Sequence, residues 1–204
     1  MNRIISFHND NIPPEIIQAQ KSVFDHFGIS LEQIETQLYV ADAIDHFISN
    51  ESWTNIVLFD IDCIPLNRDV IKNYLILGHF GLTGAIQHAA HIPDSIDYVS
   101  PAFLILNKAI FERMGKPSFC TTSRSDVGGE LTYCAHEKNI PVFFLDVVHV
   151  EEPKWELSNG KMFGIGTTYK DGIYHAFQSR LNNAARALFI QKCREVVQCL
   201  PQFP

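Results

Sequence analysis

Apolar residues along this chain fall into two patterns, short uninterrupted runs and residues recurring every three or four positions, and the two alternate from the N-terminus onward. Ile4 to Phe7 is an apolar run that predicts a strand, and Pro13-Pro14 then open a segment with Ile16, Ile17, Val23, Phe24 and Phe27 at helical spacing. Proline suits a first helical turn, and Gly28 stands where a left-handed C-cap belongs. Ile29 to Val40 carries enough Glu and Gln to be half exposed, and its place between two helices favours a strand. Ala41 to Asn50, with Ile44, Phe47 and Ile48 on one face, predicts a helix, and Asn55 to Asp62 a third strand, so the chain opens as βαβαβ.

Further on, Asn67 is placed to cap a short helix through Val70, Ile71, Tyr74 and Leu75, and Leu82 to Gln87 and Tyr98 to Leu106 read as strands. Asn107 is placed to cap a helix from Lys108 to Met114, which Gly115 ends. Lys116 to Ser125 is polar and predicts a loop, and Asp126 to Leu131 begins a helix whose apolar face runs through Val127, Leu131, Cys134 and Ala135. Pro141 to Leu145 is a further strand. From Asp146 to Tyr174 the pattern loosens, with Gly160, Gly164, Gly166 and Gly172 in a polar frame, which predicts a long loop. Asn182 to Leu200 then carries Ala185, Leu188, Phe189, Val196 and Leu200 on one stripe, a closing helix expected to pack on the sheet.

The third strand organises the rest. Its apolar residues, Ile56 to Phe59, do not alternate with polar ones, as expected of a strand covered on both faces in a parallel, helix-sandwiched sheet. It runs straight into Asp60 and Asp62, and Pro65 is expected to stop the ladder. Ligands of such sheets bind beyond the carboxyl ends of the strands. Two carboxylates at i and i+2 there make a hard-oxygen site suited to Mg²⁺ or Mn²⁺ rather than Zn²⁺.

Composition narrows the field. The chain has 204 residues, 46% of them hydrophobic and 19% charged, which is enough for one α/β domain and far from disorder. A net charge of −7 without long basic runs argues against a nucleic-acid surface. The N-terminal apolar run is too short for a signal peptide and no stretch approaches eighteen apolar residues, so a cytoplasmic protein without a transmembrane segment is expected. The five cysteines, at 63, 120, 134, 193 and 199, form no Cys-x-x-Cys pair and read as buried free thiols.

In this order the features resemble the GT-A fold glycosyltransferases. The matching residues are Val57-Leu58-Phe59-Asp60-Ile61-Asp62 with Pro65-Leu66, Ser100-Pro101-Ala102-Phe103-Leu104-Ile105, Asp126-Val127-Gly128-Gly129-Glu130-Leu131, and Tyr174-His175. The resemblance implies a single Rossmann-like domain with a mixed, mostly parallel sheet flanked by helices. Residues 1–106 would form the half that binds metal and nucleotide sugar, and 107–204 the acceptor side with the closing helix. It implies Mn²⁺ or Mg²⁺ as cofactor, a nucleotide-sugar donor, most commonly a UDP-sugar, and a hydroxyl acceptor on a glycan, lipid or small molecule. By the same resemblance Asp62 and His175 are metal ligands, and Asp60 contacts the ribose or metal-bound water and counts as a further ligand. His8, Asn9 and Asp10 lie near the donor, and Arg180 faces its phosphate. Asp126, then Glu130, which lies four residues on and so shares its helix face, is the general base of an inverting transfer.

Each of these residues also has a plainer reading. Asp60 and Asp62 could be carboxylates of a turn before Pro65, His175 a hydrogen-bonded loop histidine, Asp126 a helix N-cap, Arg180 a solvated arginine, and Tyr174 half-buried packing. The same Asp-x-Asp also resembles the first motif of haloacid-dehalogenase-type Mg²⁺-dependent phosphatases, although there it lies on the first strand and a later acidic pair accompanies it. A third reading is a GT-A-like domain that binds a nucleotide sugar without turnover. Lys116 to Ser125 and Gly160 to Gly172 are candidate lids over the donor.

Overall fold

A computed structural model describes residues 1–198. Strand β1 (Asn2–His8), helix α1 (Pro14–His26), β2 (Glu32–Glu35), α2 (Val40–Asn50) and β3 (Asn55–Phe59) realise the predicted βαβαβ opening. Both β2 and β3 pair with β1 in parallel, one on each side of it. Then come β4 (Cys63–Pro65), α3 (Val70–Gly78), β5 (Leu82–His88), β6 (Asp97–Asn107), α4 (Lys108–Met114), α5 (Gly129–Glu137) and β7 (Val142–Leu145). The main sheet has the order β2-β1-β3-β6-β5-β7, in which only β6 runs antiparallel to its neighbours. A mixed, mostly parallel six-stranded sheet flanked by helices is therefore present, and no helix among the described residues is long and apolar enough to cross a membrane.

The unbroken apolar run of β3 hides a period of two. Val57 and Phe59 enter one core with Ile16, Val23 and Phe24 of α1, whereas Ile56 and Leu58 enter a second core with Ile44 and Phe47 of α2. Phe24 meets Phe59 edge to face at a centroid distance of 5.0 Å. Alternate residues thus bury against different helices, which is why no polar position interrupts the strand. Helix boundaries follow local chemistry: Pro14 stands in the first turn of α1, and Gly28 adopts a left-handed φ of 66° just past its end. Asn107 Oδ1 accepts from the backbone N–H groups of Ala109 and Ile110 at the start of α4, and Gly115 closes that helix at φ 93°.

Five expectations need correction. The expected Ile29–Val40 strand shrinks to β2, because Thr36 to Tyr39 turn the chain and Val40 already belongs to α2. Asp126 precedes α5, which begins at Gly129 after Gly128 takes a left-handed conformation, so Asp126 and Glu130 do not share a helix face. The predicted loop from Asp146 to Tyr174 is instead β8 (Val147–Glu156), β9 (Met162–Tyr169) and the start of β10 (Ile173–His175), forming with β4 a second, antiparallel sheet of order β4-β10-β9-β8. Gly164 marks close strand contact there, since a Cβ at that position would lie 2.2 Å from the Glu152 carbonyl oxygen. With β9 paired on both sides, the stretch from Gly160 to Gly172 is a strand with a short turn at each end and not a loose lid. Pro65, for its part, does not end a ladder but pairs with Ile173 in edge strand β4, where a missing N–H is tolerated.

The closing helix α6 (Asn183–Gln198) buries Ala185, Phe189 and Cys193 and packs chiefly on α1, with β9 as a smaller contact, rather than on the main sheet; Leu200 and Cys199 lie outside the described residues. Cys63 and Cys193 are buried free thiols as expected, whereas Cys120 and Cys134 are half-buried.

A candidate metal-binding cleft

At Phe59 the chain leaves the main sheet, and at Cys63 it enters the second one, so the acidic pair lies in the turn joining the two sheets. The turn is tied down at its backbone: Asp60 N–H donates to the Ala102 carbonyl at 2.9 Å and Cys63 N–H to the Asp60 carbonyl at 3.0 Å. Gln20, wholly buried on the inner face of α1, donates from Nε2 to the Asp60 and Cys63 carbonyls at 2.7 and 3.0 Å. Gln33 in turn donates to Gln20 Oε1 at 3.0 Å, which fixes the amide's orientation. A glutamine four residues after Ile16, on the stripe that otherwise holds Val23 and Phe24, was the sequence signal for this clamp.

His175 arrives from β10, directly opposite Cys63 in the β4–β10 ladder. Its Nε2 lies 2.9 Å from Asp62 Oδ1 and 3.5 Å from Asp60 Oδ2. Asp62 Oδ2 accepts from Ser179 N–H at 3.2 Å. Asp62 and His175 are buried, whereas the Asp60 side chain is 45% exposed. Burial alone would lower the His175 pKa, but the Asp62 charge and the hydrogen bonds to both carboxylates outweigh it and raise the value to about 9. Burial likewise acts to raise that of Asp62, and the His175 charge with the Ser179 hydrogen bonds holds it below its ordinary value. The neighbouring Cys63 thiol is pushed well up by burial and by both aspartates, which keeps it protonated and unsuited to metal ligation.

One ligand atom from each of Asp60, Asp62 and His175 lies within 4.8 Å of the others. Two anionic oxygens and one imidazole nitrogen suit a hard or borderline divalent cation, and the exposed side of Asp60 leaves room for a ligand to complete the coordination. The donor set therefore fits a divalent cation.

The group sits in a cleft of about 650 Å³. The cleft lies where β2 and β3 leave β1 on opposite sides, the crevice in which open α/β sheets bind ligands. Its two ends differ. Toward β2 it is walled by Leu38, Tyr39 and Val40, each more than a third exposed, and toward β5 and β6 by Gln87, Tyr98, Ser100 and Asp126.

Of the residues singled out from the sequence, His8, Asn9, Asp60, Asp62, Asp126, His175 and Arg180 line this cleft, Arg180 at its exposed rim. Asp10 is exposed in the turn after β1 and does not line it. Glu130 faces away: its carboxylate is paired with Arg124 Nη2 and Nε and approached by the Thr122 and Ser125 hydroxyls. Sequence reasoning passed over Gln87 and Tyr98, register partners on β5 and β6, because each reads as an ordinary strand residue. The Tyr98 phenol donates to Gln87 Oε1 at 3.4 Å, and burial, with the Asp126 charge, raises its pKa so that it stays a donor.

No protein-family model and no curated protein sequence matches the chain. Among solved structures it is similar to a protein from STIV (13% identity over 79% of this chain and 93% of that one, TM-score 0.46). It is also similar to the mannosyltransferase PcManGT from Pyrobaculum calidifontis in complex with GDP-Man and Mn²⁺ (12% identity over 70% of this chain and 54% of that one, TM-score 0.48). A third is the glycosyltransferase GlyE of Streptococcus pneumoniae (11% identity over 72% of this chain and 45% of that one, TM-score 0.44). The chain thus spans about half the length of the two glycosyltransferases, and likenesses this distant do not assign it an activity.

Proposed function

We propose that this protein is a metal-dependent glycosyltransferase that moves a sugar from a nucleotide-sugar donor to a hydroxyl acceptor. The observation that carries the reading is the convergence of Asp60, Asp62 and His175 on the floor of one cleft beyond the carboxyl ends of β1 and β3. Asp62 and His175 would hold the cation, with Asp60 reaching it from the open side, and the bound cation would stabilise the negative charge growing on a departing nucleoside diphosphate.

The two ends of the cleft give the donor a direction. The apolar wall of Leu38, Tyr39 and Val40 suits a nucleobase, with His8 and Asn9 alongside, and Arg180 at the rim suits a phosphate. A sugar extending from the diphosphate then meets Gln87, Tyr98 and Ser100, whose polar groups match its hydroxyls. Asp126 faces this polar end and is the carboxylate proposed to take the acceptor's proton, which serves an inverting displacement. The acceptor-side half, residues 107–204, supplies both Asp126 and His175, so the two halves act as one site. We take UDP as the donor's nucleotide and Mn²⁺ or Mg²⁺ as its metal.

A thermal-shift panel of nucleoside diphosphates and nucleotide sugars, each with and without Mn²⁺, tests this on the native protein and on Asp62→Asn. Ligand binding to the folded state raises stability by about 2.7 kcal/mol at a hundredfold excess over Kd. A shift with UDP and its sugars that needs the metal and vanishes in the variant is expected. No shift with any nucleotide at millimolar concentration overturns the reading, and hydrolysis of an aryl phosphate with Mg²⁺ would put the phosphatase in its place.

A further inference from the structure

The imidazole of His175 lacks the support usually given to a metal-binding histidine. Its Nε2 faces the two carboxylates, and its buried Nδ1, the nitrogen that ordinarily donates to a carbonyl or carboxylate, has no hydrogen-bond partner among the described residues. The ring is instead covered by Phe177, at a centroid distance of 3.8 Å and an interplanar angle of 37°. Phe177 is wedged in turn against Trp155 and Phe163 of the second sheet, at 5.5 and 5.9 Å.

The backbone reaches this position through a conformation that side chains disfavour. Phe177 and Gln178 are consecutive non-glycine residues with φ of 53° and 55°, in the left-handed region. Such strain persists only where the surroundings over-determine it. Here Ala176 N–H donates to the Asp62 carbonyl at 3.0 Å, Leu181 and Asn182 N–H donate to the Gln178 carbonyl at 3.0 and 2.9 Å, and Arg186 reaches the Ser179 and Arg180 carbonyls at 3.4 and 3.2 Å. The result of the double turn is that the Phe177 ring lands on His175 while the next N–H but one, that of Ser179, lands on Asp62.

We propose that Phe177 is the positioning residue of the metal site, orienting the His175 imidazole by aromatic contact in place of a hydrogen bond at Nδ1. The inference rests on the metal-binding part of the function proposed above and on no step of sugar transfer.

The test is Mn²⁺ affinity, read from loss of the free-ion electron paramagnetic resonance signal in the protein without nucleotide. Phe177→Leu should weaken Mn²⁺ binding by about 10-fold or more, the range seen when a ligand's supporting group is removed, while Phe177→Tyr, which keeps the ring, stays within about threefold of the native protein. Phe163→Leu removes a ring from the same aromatic cluster without touching His175, and should lower the melting temperature and leave Mn²⁺ affinity unchanged. Equal affinity in Phe177→Leu and the native protein, or an equal loss in Phe163→Leu, overturns the inference. Phe177→Met, which keeps apolar bulk without a flat ring, carries the same comparison if the leucine variant does not fold. A native protein that takes up no Mn²⁺ removes the functional reading as well, whereas native binding that survives Phe177→Leu removes this inference alone.

Discussion

At the scale of single residues, the Asp62–His175 pair dominates, because two buried groups each keep the other charged. The His175 pKa rises from 6.5 to about 9 on folding, so in the metal-free protein its contribution to stability is fully present below pH 6.5 and is lost as pH rises through about 9. The lowered Asp62 pKa works on the other side, giving stability that is lost as pH falls below the ordinary carboxylate range. Melts in chelator between pH 6 and 9.5 should show a decline toward alkaline pH that His175→Gln abolishes, and a flat native profile would deny the pair its charge. Because a cation must displace the same proton, Mn²⁺ should bind more tightly as pH rises across that interval. Gln20 belongs to this scale too. Its two bonds to the carbonyls of Asp60 and Cys63 hold the turn that presents the pair; the sequence reading passed over it, although a polar residue within an apolar stripe marks it.

At the scale of elements, the stretch from Asp126 to Leu131 shows how a one-turn displacement of a helix start redistributes roles. A helix beginning at Asp126 would present both carboxylates together. Beginning at Gly129, after the left-handed Gly128, it leaves Asp126 in the cleft and sends Glu130 to Arg124. Asp126→Asn should therefore lower transfer by about 100-fold or more, in the range of a lost general base, while Glu130→Gln changes it by less than about threefold; steady-state rates with a nucleotide sugar decide, and equal effects would contradict the assignment. Element caps were read well from sequence at Gly28, Asn107 and Gly115, because a cap is a local matter of one side chain or one permitted φ. Strands β8 and β9 escaped notice for the opposite reason. Strand β8 lies on an edge with most of its residues exposed, so it carries no alternation, and the glycines of β9 look like loop residues until Glu152 is seen pressed against Gly164.

At the scale of the whole molecule, the metal group joins distant parts of the chain, since Asp60 and Asp62 lie in the turn after the third strand and His175 lies 113 residues beyond Asp62. Amide exchange should report that union: with donor and Mn²⁺, protection of Cys63 and of Ser179 should rise with one midpoint, and protection confined to one of them would mean that the site is not shared. The sequence by itself determined the βαβαβ opening, the buried β3 and the acidic pair at its end, because burial on two faces and helix capping leave their marks on residues close together in the chain. Tertiary structure alone decided that the pair sits between two sheets, that His175 faces it, that Phe177 covers the imidazole, and that Asp126 rather than Glu130 enters the cleft. The first three depend on the pairing of β4 with β10 and on two left-handed residues after it, and pairing between strands more than a hundred residues apart has no local periodicity from which to be read; the last depends on the left-handed Gly128 that delays the start of α5.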